Sequence, residues 1–235
     1  MHMPKLFLLC LQFSFNSLQN FNFLNFNSSS CFSQQPSAVV YNTVGTVVAV
    51  QMQAAGYNWE IDAFDRLVIR DQQRTFESTF LLLPPPGGPW SPSTTLLSTP
   101  HRNYTVNDYP QLFTALGYPE GRLKLEAIRD ADYGFLDRDL GVPIHCFYSG
   151  GLPTPEQLVY SSVSGFPDSE PRIEMGDGDG TVNLRSLEAC GGWGNVESLQ
   201  HPVTIKYYDG VGHNEILHHQ AVIDDLLRIA RRTAA

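Results

Sequence analysis

The sequence is poor in charge and has no long apolar run. Of its 235 residues, 17% are charged and 42% are hydrophobic. No apolar stretch approaches the roughly 20 residues that a membrane-spanning helix needs, which argues against an integral membrane protein. Basic residues are fewer than acidic ones, 15 against 24, which gives a formal net charge of −9. A nucleic-acid partner is therefore disfavoured, because phosphate binding depends on a basic surface. Lipid is not excluded, since apolar surface alone can bind it.

Cysteine is also scarce. The four cysteines lie at positions 10, 31, 146 and 190, and no two of them form a C-x-x-C pair. This spacing argues against a zinc site and against a thioredoxin-like redox site, and we expect neither a metal nor a cofactor. Cys146 and Cys190 are compatible with one disulfide or with two free buried thiols, and composition alone favours the free thiols.

The first 35 residues differ in composition from the rest. Lys5 is followed by a short apolar run over residues 6–11 and then by a tract rich in Asn, Phe and Ser. A secretory leader needs a basic start, an apolar stretch and a small-residue cleavage site, and only the first two are present, in weak form. Biased composition of this kind builds no core. Residues 1–35 are therefore interpreted as a leader or a low-complexity segment, with a wrongly assigned coding start as the alternative.

The next part of the chain carries mixed signals. Residues 38–50 are rich in Val and predict one or two strands, and residues 51–55 predict a helical turn that stops at Gly56. Residues 67–83 are amphipathic and end at a Pro-Pro-Pro-Gly-Gly run that no helix or strand can cross.

The middle of the chain is predicted to be mostly irregular. Residues 84–110 are rich in Pro, Ser and Thr and predict a loop. Residues 110–116 predict a short helix that is closed by Gly117.

The last 95 residues have the clearest pattern. A strand is predicted over residues 142–148, followed by a Pro-rich loop and a glycine-flanked acidic turn, residues 176–180. A second strand, residues 203–208, runs into a turn that ends at His213. The closing helix is predicted from apolar residues that recur near a 3.6-residue period, namely Ile216, Val222, Ile223, Leu226, Leu227 and Ala230. Strand, acidic turn, strand, histidine turn and helix is the closing order of an α/β-hydrolase core.

Asp179 and His213 are the candidates for catalysis in these two turns. Acyl transfer from an ester needs a nucleophile, a base that takes its proton, and an acid that orients the base. Both residues lie where a strand gives way to a turn, with Asp before His and 34 residues between their positions, which fits the chain order of an α/β-hydrolase triad. The alternatives are a plain turn or a partial calcium loop, although the downstream Glu of an EF-hand is missing, and a surface histidine.

Several phrases of this sequence resemble the lecithin:cholesterol acyltransferase family, and most of all its lysosomal phospholipase A branch. In the C-terminal part they are Cys146-Phe147-Tyr148, Gly151-Leu152-Pro153-Thr154-Pro155, Phe166-Pro167-Asp168 and Asp177-Gly178-Asp179-Gly180-Thr181-Val182-Asn183. Upstream they are Ile69-Arg70-Asp71-Gln72-Gln73-Arg74, Trp90-Ser91-Pro92, Asn103-Tyr104-Thr105 and Asp108-Tyr109, which are similar to the cap of that branch. The resemblance covers residues 67–231.

The resemblance implies an α/β-hydrolase fold, of which this chain would contain the C-terminal half of the core and the cap. Residues 36–66 would be a remnant of the N-terminal core, residues 67–140 the cap or lid, and residues 141–235 the C-terminal core. The implied activity is that of an O-acyltransferase or phospholipase A in lipid metabolism. A phospholipid would be the acyl donor, an alcohol or water the acceptor, and the cap would touch a lipid surface. The implied location is secreted or lysosomal.

Position by position, the resemblance assigns the catalytic acid to Asp179 rather than Asp177. It assigns the base to His213 rather than to His218 or His219, which are predicted to lie inside the last helix. It also implies a disulfide between Cys146 and Cys190 and a glycosylation site at Asn103, in Asn103-Tyr104-Thr105.

The nucleophile is where the sequence departs from the family. The family places it in a Gly/Ala-x-Ser-x-Gly elbow upstream of the cap, and no serine in this chain has that pattern. Ser149 comes nearest, but Phe147 lies two positions before it and it follows the cap region. We therefore expect that the chain lacks the nucleophile, that it skips the elbow between Tyr57 and Leu67, and that it is inactive as written.

The alternative is a non-catalytic derivative that binds lipid or a partner through its cap. The apolar side chains of Leu81, Leu82, Leu83 and Trp90 would suit a membrane-facing surface, or else simply the core.

Overall fold

The computed structural model describes residues 7–9, 38–40, 44–59, 61, 63–130, 142–195 and 201–232. These residues form two four-stranded sheets with helices packed against them. The predicted α/β-hydrolase fold class is confirmed at this level. Most of residues 1–35 lie outside the described residues.

The first sheet is parallel throughout. Its strands are β1 (Phe7–Leu9), β2 (Ala38–Val40), β5 (Ile144–Gly150) and β8 (Val203–Asp209), in the order β1-β2-β5-β8. β5 pairs with β8 along its whole length, from Ile144 opposite Val203 to Gly150 opposite Asp209. A strand in this interior position is covered on both faces, which agrees with the burial of Ile144, Cys146, Phe147, Ser149 and Gly150 on β5.

The second sheet is mixed. It contains β3 (Thr95–Ser98), β4 (Asn103–Thr105), β6 (Leu152–Val159) and β7 (Arg172–Gly178), in the order β4-β3-β6-β7. β3 and β6 run parallel, while β3–β4 and β6–β7 are antiparallel pairs. β6 follows β5 after a single residue, so β6 and β7 of the second sheet are inserted in the chain between β5 and the turn that contains Asp179.

Five helices surround the second sheet and build the larger core. They are α1 (Val47–Ala54), α2 (Arg66–Gln73), α3 (Glu77–Leu81), α4 (Tyr109–Ala115) and α5 (Gly121–Asp130). Trp90, Phe80, Leu97, Phe113 and Leu158 are among the fully buried side chains of this core.

The C-terminal helices flank the parallel sheet. They are α6 (Leu184–Leu187), the 3₁₀ segments Glu188–Asn195 and Glu215–Leu217, and α7 (Gln220–Arg232). A smaller core joins β5 and β8 to α7 through Phe147, Tyr208, Val211, Ile216 and Val222. The predicted strands at 142–148 and 203–208 and the closing helix are confirmed.

The prediction of strand for residues 47–50 is wrong. In the described part of the Val-rich stretch, Ala38–Val40 is a strand, whereas helix α1 begins at Val47. Thr46 caps this helix by accepting a hydrogen bond from Val48 N at 3.2 Å. α1 is buried on almost every side. A short helix that is buried on every side has the same unbroken apolar sequence as a buried strand, so periodicity does not distinguish the two.

Two of the predicted loops contain strands. Residues 84–110 include β3 and β4, and the Pro-rich stretch after Gly150 forms β6. The pairing of β6 with β7 shifts register between Pro155 and Gln157. Such a bulge is where a strand tolerates proline, because the missing N–H then breaks no ladder hydrogen bond.

Other predictions for this region are confirmed. Helix α4 ends before Gly117, whose φ is +67°, and α3 ends before the proline run. Trp90 and Leu83 lie in the core, whereas Leu81 is 37% exposed. None of the helices in the described ranges is long and apolar enough to cross a bilayer.

Three arginines of α2 bind the carboxyl end of α1. Their spacing of four places them on one face of the helix. Arg66, Arg70 and Arg74 donate to the carbonyl oxygens of Ala55, Ala54 and Gln53 at 2.7, 3.2 and 2.8 Å, respectively. Cations at this position satisfy the last carbonyls of a helix and complement its dipole. Residues 44–59 are therefore packed as one unit with α2.

The disulfide predicted between Cys146 and Cys190 is present and joins β5 to the 3₁₀ segment Glu188–Asn195. It encloses a segment of 44 residues, for which chain entropy gives a stabilisation of about 4 kcal/mol. We expect Cys146→Ala/Cys190→Ala to lower the free energy of unfolding by about this amount, measured by urea denaturation without reductant. Wild type with reductant is the matched control. Equal midpoints for the oxidised wild type and the variant would contradict the estimate.

Candidate acid–base site

The acidic turn and the histidine turn meet at the carboxyl ends of β5 and β8. Gly210 N donates to Gly150 O at 2.8 Å, which joins the ends of the two strands. Gly151 N donates to Asp177 Oδ1 at 2.7 Å, which brings the end of β7 to the same place. The carboxyl edge of a parallel sheet is where α/β proteins collect their functional side chains.

Asp179 and His213 are in direct contact. His213 Nδ1 lies 2.8 Å from Asp179 Oδ2, and His213 N donates to Asp179 O at 2.9 Å. The side chain and the main chain of the histidine are thus both held by one residue. This double contact fixes the ring relative to the carboxylate.

The second carboxylate oxygen of Asp179 is bound inside its own turn. Oδ1 accepts hydrogen bonds from Thr181 N at 3.0 Å and Val182 N at 2.7 Å. Asp179 is only 4% exposed, and a buried carboxylate needs such donors to replace the water it has lost.

The ring of His213 is more accessible than its partner. The side chain is 28% exposed, against 4% for that of Asp179. A carboxylate at Nδ1 favours the tautomer with the proton on that nitrogen, which leaves the lone pair of Nε2 to accept a proton. The pair therefore has the geometry of a base that is oriented by an acid.

Two glycines allow the acidic turn to be so tight. A Cβ at Gly178 would collide with the carbonyl oxygen of Val182, and Gly180 has a φ of +89° that favours glycine. The glycine-flanked pattern in the sequence has this physical basis.

Asp225 of α7 binds the strand that leads into the histidine turn. This buried carboxylate accepts a hydrogen bond from Tyr208 OH at 2.8 Å and pairs with Lys206 and Arg228. Tyr208 and Lys206 belong to β8, so these contacts attach α7 to the strand that leads to His213.

The other candidate residues lie apart from the pair. Asp177 accepts a hydrogen bond from Gly151 N. The prediction that His218 and His219 lie inside the last helix is wrong, because α7 begins at Gln220. Ser149 is 1% exposed, and its hydroxyl has no hydrogen-bond partner in the part of the chain that the structure describes. It therefore makes no hydrogen bond with His213.

Asn103 lies on the short edge strand β4 with its side chain exposed, so glycosylation there stays a prediction that the fold permits. Across the described ranges, no group of three or more His, Cys, Asp or Glu side chains could hold a metal ion.

Sequence reasoning missed the residues that hold the acidic turn. Thr46 Oγ1 donates to Thr181 O at 2.5 Å, and Gly180 N donates to Thr154 Oγ1 at 2.9 Å. Asn183 binds three groups outside the turn. Thr154 and Asn183 belong to the phrases that carry the family resemblance, but nothing in their spacing shows what they contact.

The fold and the position of the two turns define a protein of the α/β-hydrolase class. Comparison with known proteins narrows this class. The chain belongs to the lecithin:cholesterol acyltransferase family, whose family model matches residues 131–224.

Individual relatives agree with this assignment. The chain is 37% identical over 187 residues to the lysosomal phospholipase A and acyltransferase of Canis lupus familiaris, a match that covers 79% of this chain and 43% of the relative. The Homo sapiens protein of the same name is 36% identical over the same shares. The phosphatidylcholine-sterol acyltransferase of Mus musculus is 34% identical over 157 residues, which cover 66% of this chain and 34% of the relative. The chain thus spans less than half the length of these relatives.

The length of the match bears on the prediction that the chain skips the elbow between Tyr57 and Leu67. A match that covers 79% of 235 residues must begin by about residue 50, which is upstream of the predicted start at residue 67. The interval between Tyr57 and Leu67 therefore lies inside the matched segment. Helix α1 also packs against α2 across this interval.

Asp225 generates a prediction about pH. Burial raises the pKa of Asp225, but the hydrogen bonds from Lys206 and Tyr208 and the nearby positive charges outweigh it and leave the pKa below its usual range. A lowered pKa in the folded state means that the stabilisation is present above the unfolded value of about 3.9 and is lost as the pH falls through the folded value. We expect Asp225→Asn to lower the free energy of unfolding by about 1.5 kcal/mol at pH 6, because the side chains of Lys206 and Arg228 are 43% and 59% exposed and are rehydrated when the charge of Asp225 is removed. The difference from wild type should narrow below about pH 4.

Urea denaturation between pH 3 and pH 7 measures this effect. Asp224→Asn is the matched control, because Asp224 is exposed on the same turn of α7 and should change stability by less than about 0.5 kcal/mol. A gap between Asp225→Asn and wild type that stays constant across this range would contradict the assignment.

Proposed function

We propose that this chain supplies the acid and the base of an enzyme that transfers or hydrolyses acyl esters of phospholipids, as an O-acyltransferase or phospholipase A. The observation that carries the proposal is the contact of His213 Nδ1 with Asp179 Oδ2 at 2.8 Å, reinforced by the main-chain bond between the same residues. The names of the relatives support the lipid substrate class, since they describe phospholipase A, acyltransferase and phosphatidylcholine-sterol acyltransferase activities.

The chemistry follows from the pair. His213 Nε2 takes the proton of a serine hydroxyl as its oxygen attacks the ester carbonyl, and Asp179 stabilises the imidazolium that forms. The same proton is then given to the departing alcohol of the phospholipid, which leaves an acyl-serine. His213 next takes a proton from the acceptor. The oxygen of the acceptor then attacks the acyl-serine, and the product is released as His213 returns the proton to the serine oxygen. Water as acceptor yields a fatty acid, and a sterol or another alcohol yields a new ester.

The serine in this scheme does not come from an elbow in the present sequence. No serine of the chain has the Gly/Ala-x-Ser-x-Gly pattern, and the hydroxyl of Ser149 is buried in the parallel sheet. We propose that the nucleophile is contributed by residues that the relatives have ahead of the match.

A second candidate function is lipid binding without turnover. Four apolar side chains on the segment after α1 and in the first turn of α2, namely Trp59, Ile61, Phe64 and Val68, are each at least 41% exposed. Apolar surface of this kind favours contact with lipid. This candidate would be favoured if the chain binds phosphatidylcholine vesicles while neither the chain nor its chimera with the upstream part of a relative hydrolyses phospholipid.

The proposed location is the lysosome or the cell exterior. The relatives include proteins named as lysosomal, and the Cys146–Cys190 disulfide suits an oxidising compartment. The exposed Asn103 would then carry a glycan. Residues 67–140 are proposed as the cap and residues 141–235 as the C-terminal part of the catalytic core.

A chimera tests the acid–base assignment. The part of the Canis lupus familiaris relative that precedes the match is joined to residues 44–235 of this chain, and phospholipid hydrolysis is measured. Asp179→Asn and His213→Gln should each lower kcat by about 10³-fold or more, because each breaks the pair. Asp177→Asn and His218→Gln are the matched controls and should retain turnover. Activity near wild type in either test variant would defeat the assignment.

The 235-residue chain alone should show no turnover. An acid and a base without a nucleophile and oxyanion hole cannot form the acyl-enzyme. The measurement is hydrolysis of phospholipid vesicles by the purified chain, with the chimera as the positive control. Turnover by the chain that His213→Gln abolishes would show that one of its own serines attacks the ester.

A further inference from the structure

We propose that Asn183 is a positioning residue for the Asp179–His213 pair, which it aligns by locking the acidic turn between α1 and β6. This inference rests on the proposed function and assigns a role to a side chain that touches neither the substrate nor the histidine.

The side chain of Asn183 is fully buried and makes three hydrogen bonds outside its own turn. Its Oδ1 accepts from Val47 N, the first residue of α1, at 3.1 Å. Its Nδ2 donates to Pro155 O and to Glu156 Oε2 of β6, both at 2.8 Å. Both amide hydrogens and the amide oxygen are thus used, which is close to the full capacity of an asparagine side chain.

The side chain of Asn183 makes tertiary hydrogen bonds in place of the capping bond expected at its position in the chain. Asn183 occupies the N-cap position of α6, where an asparagine normally accepts a hydrogen bond from its own helix. The side chain makes no such cap bond and turns to α1 and β6 instead. A side chain that leaves its preferred local partner for three distant ones indicates that the distant contacts define the position of the turn.

Other contacts hold the same turn from the same two sides. Thr46, the N-cap of α1, donates to Thr181 O at 2.5 Å, and Thr154 of β6 accepts from Gly180 N at 2.9 Å. The turn from Asp179 to Asn183 is therefore clamped by α1 and β6, while its carboxylate faces His213. Asn183 is the one side chain of the turn that reaches both clamping elements.

Loosening the clamp should misplace the carboxylate. Asn183→Ala removes the acceptor for Val47 N and the donor to Pro155 O and Glu156 Oε2, and it frees the downstream end of the turn, while Glu156 keeps its ion pair with Arg185. A displacement of about 1 Å at a positioning contact can cost about 10²-fold in turnover. The defect should appear in kcat rather than KM, because no substrate contact is lost.

The first experiment uses the full chain and needs no activity. With ¹⁵N-labelled histidine, NMR follows the Nδ1 proton of His213 that the contact with Asp179 protects from solvent. This proton should exchange at least about 10-fold faster in Asn183→Ala than in wild type, since a loosened clamp opens the pair more often. Asp179→Ala marks complete loss of the contact, because alanine has no acceptor for the Nδ1 proton. Ser186→Ala is the matched control, because Ser186 is equally buried on α6 and bonds to Val44 O and Trp90 rather than to the acidic turn.

A swap tests the bond to Glu156 directly. Asn183→Asp alone sets two carboxylates against each other and should perturb the pair strongly. Adding Glu156→Gln removes the like charge and restores a hydrogen bond between the two positions with its direction reversed, while the bond to Pro155 O stays lost. The double variant should therefore recover part of the protection of the histidine proton. This comparison remains informative if Asn183→Ala does not fold.

The second experiment measures kinetics in the chimera. Asn183→Ala should lower kcat by about 10²-fold with KM within about twofold of wild type, whereas Ser186→Ala should retain kcat.

The outcomes separate this inference from the proposed function. If Asn183→Ala keeps the protection of the His213 proton and its kcat, or if the swap recovers nothing over Asn183→Asp, Asn183 is only a packing residue and the inference fails. If Asp179→Asn and His213→Gln leave the chimera active, the proposed function fails, whatever the proton exchange in the full chain shows.

Discussion

The parallel pairing of β5 with β8 is the constraint on which the rest of the site depends. It places Gly150 beside Asp209, so that both strands end at one edge of the sheet, and a hydrogen bond from Gly210 N to Gly150 O closes that edge. The chain leaves β5 into the β6–β7 hairpin and returns with Asp179, while it leaves β8 directly into the turn that ends at His213. A register shift of one residue would turn every side chain of β8 to the opposite face and separate the two turns.

The acidic turn is more strongly supported than a turn needs to be for folding alone. Its carboxylate is satisfied by Thr181 N, Val182 N and His213, and its backbone is held by Thr46 and Thr154. Buried polar groups are costly unless every one is paired, so a fully paired cluster of this kind specifies one arrangement. Such rigidity suits a base whose ring must keep one orientation through several proton transfers.

The support for the turn comes from parts of the chain that are far apart in sequence. Thr46 and Val47 bind Thr181 and Asn183 across more than 130 positions. Arg66 of α2 and Arg74 at its C-cap hold the other end of α1. Thr46 and Val47 at the start of α1 are therefore structural partners of the acidic turn. This role explains why the match to the relatives extends upstream of α2.

The sequence by itself determined the α/β class, the closing order of the core, the family and the identity of Asp179 and His213 as a candidate pair, because these depend on local patterns: strand composition, glycine-flanked turns and helical periodicity. Only the tertiary structure decided that residues 47–54 form a helix, that β3, β4 and β6 are strands, and that Asn183 turns away from its own helix. The physical reason is that burial on all sides hides periodicity, proline is tolerated at a bulge, and a hydrogen bond across more than 100 residues leaves no local trace.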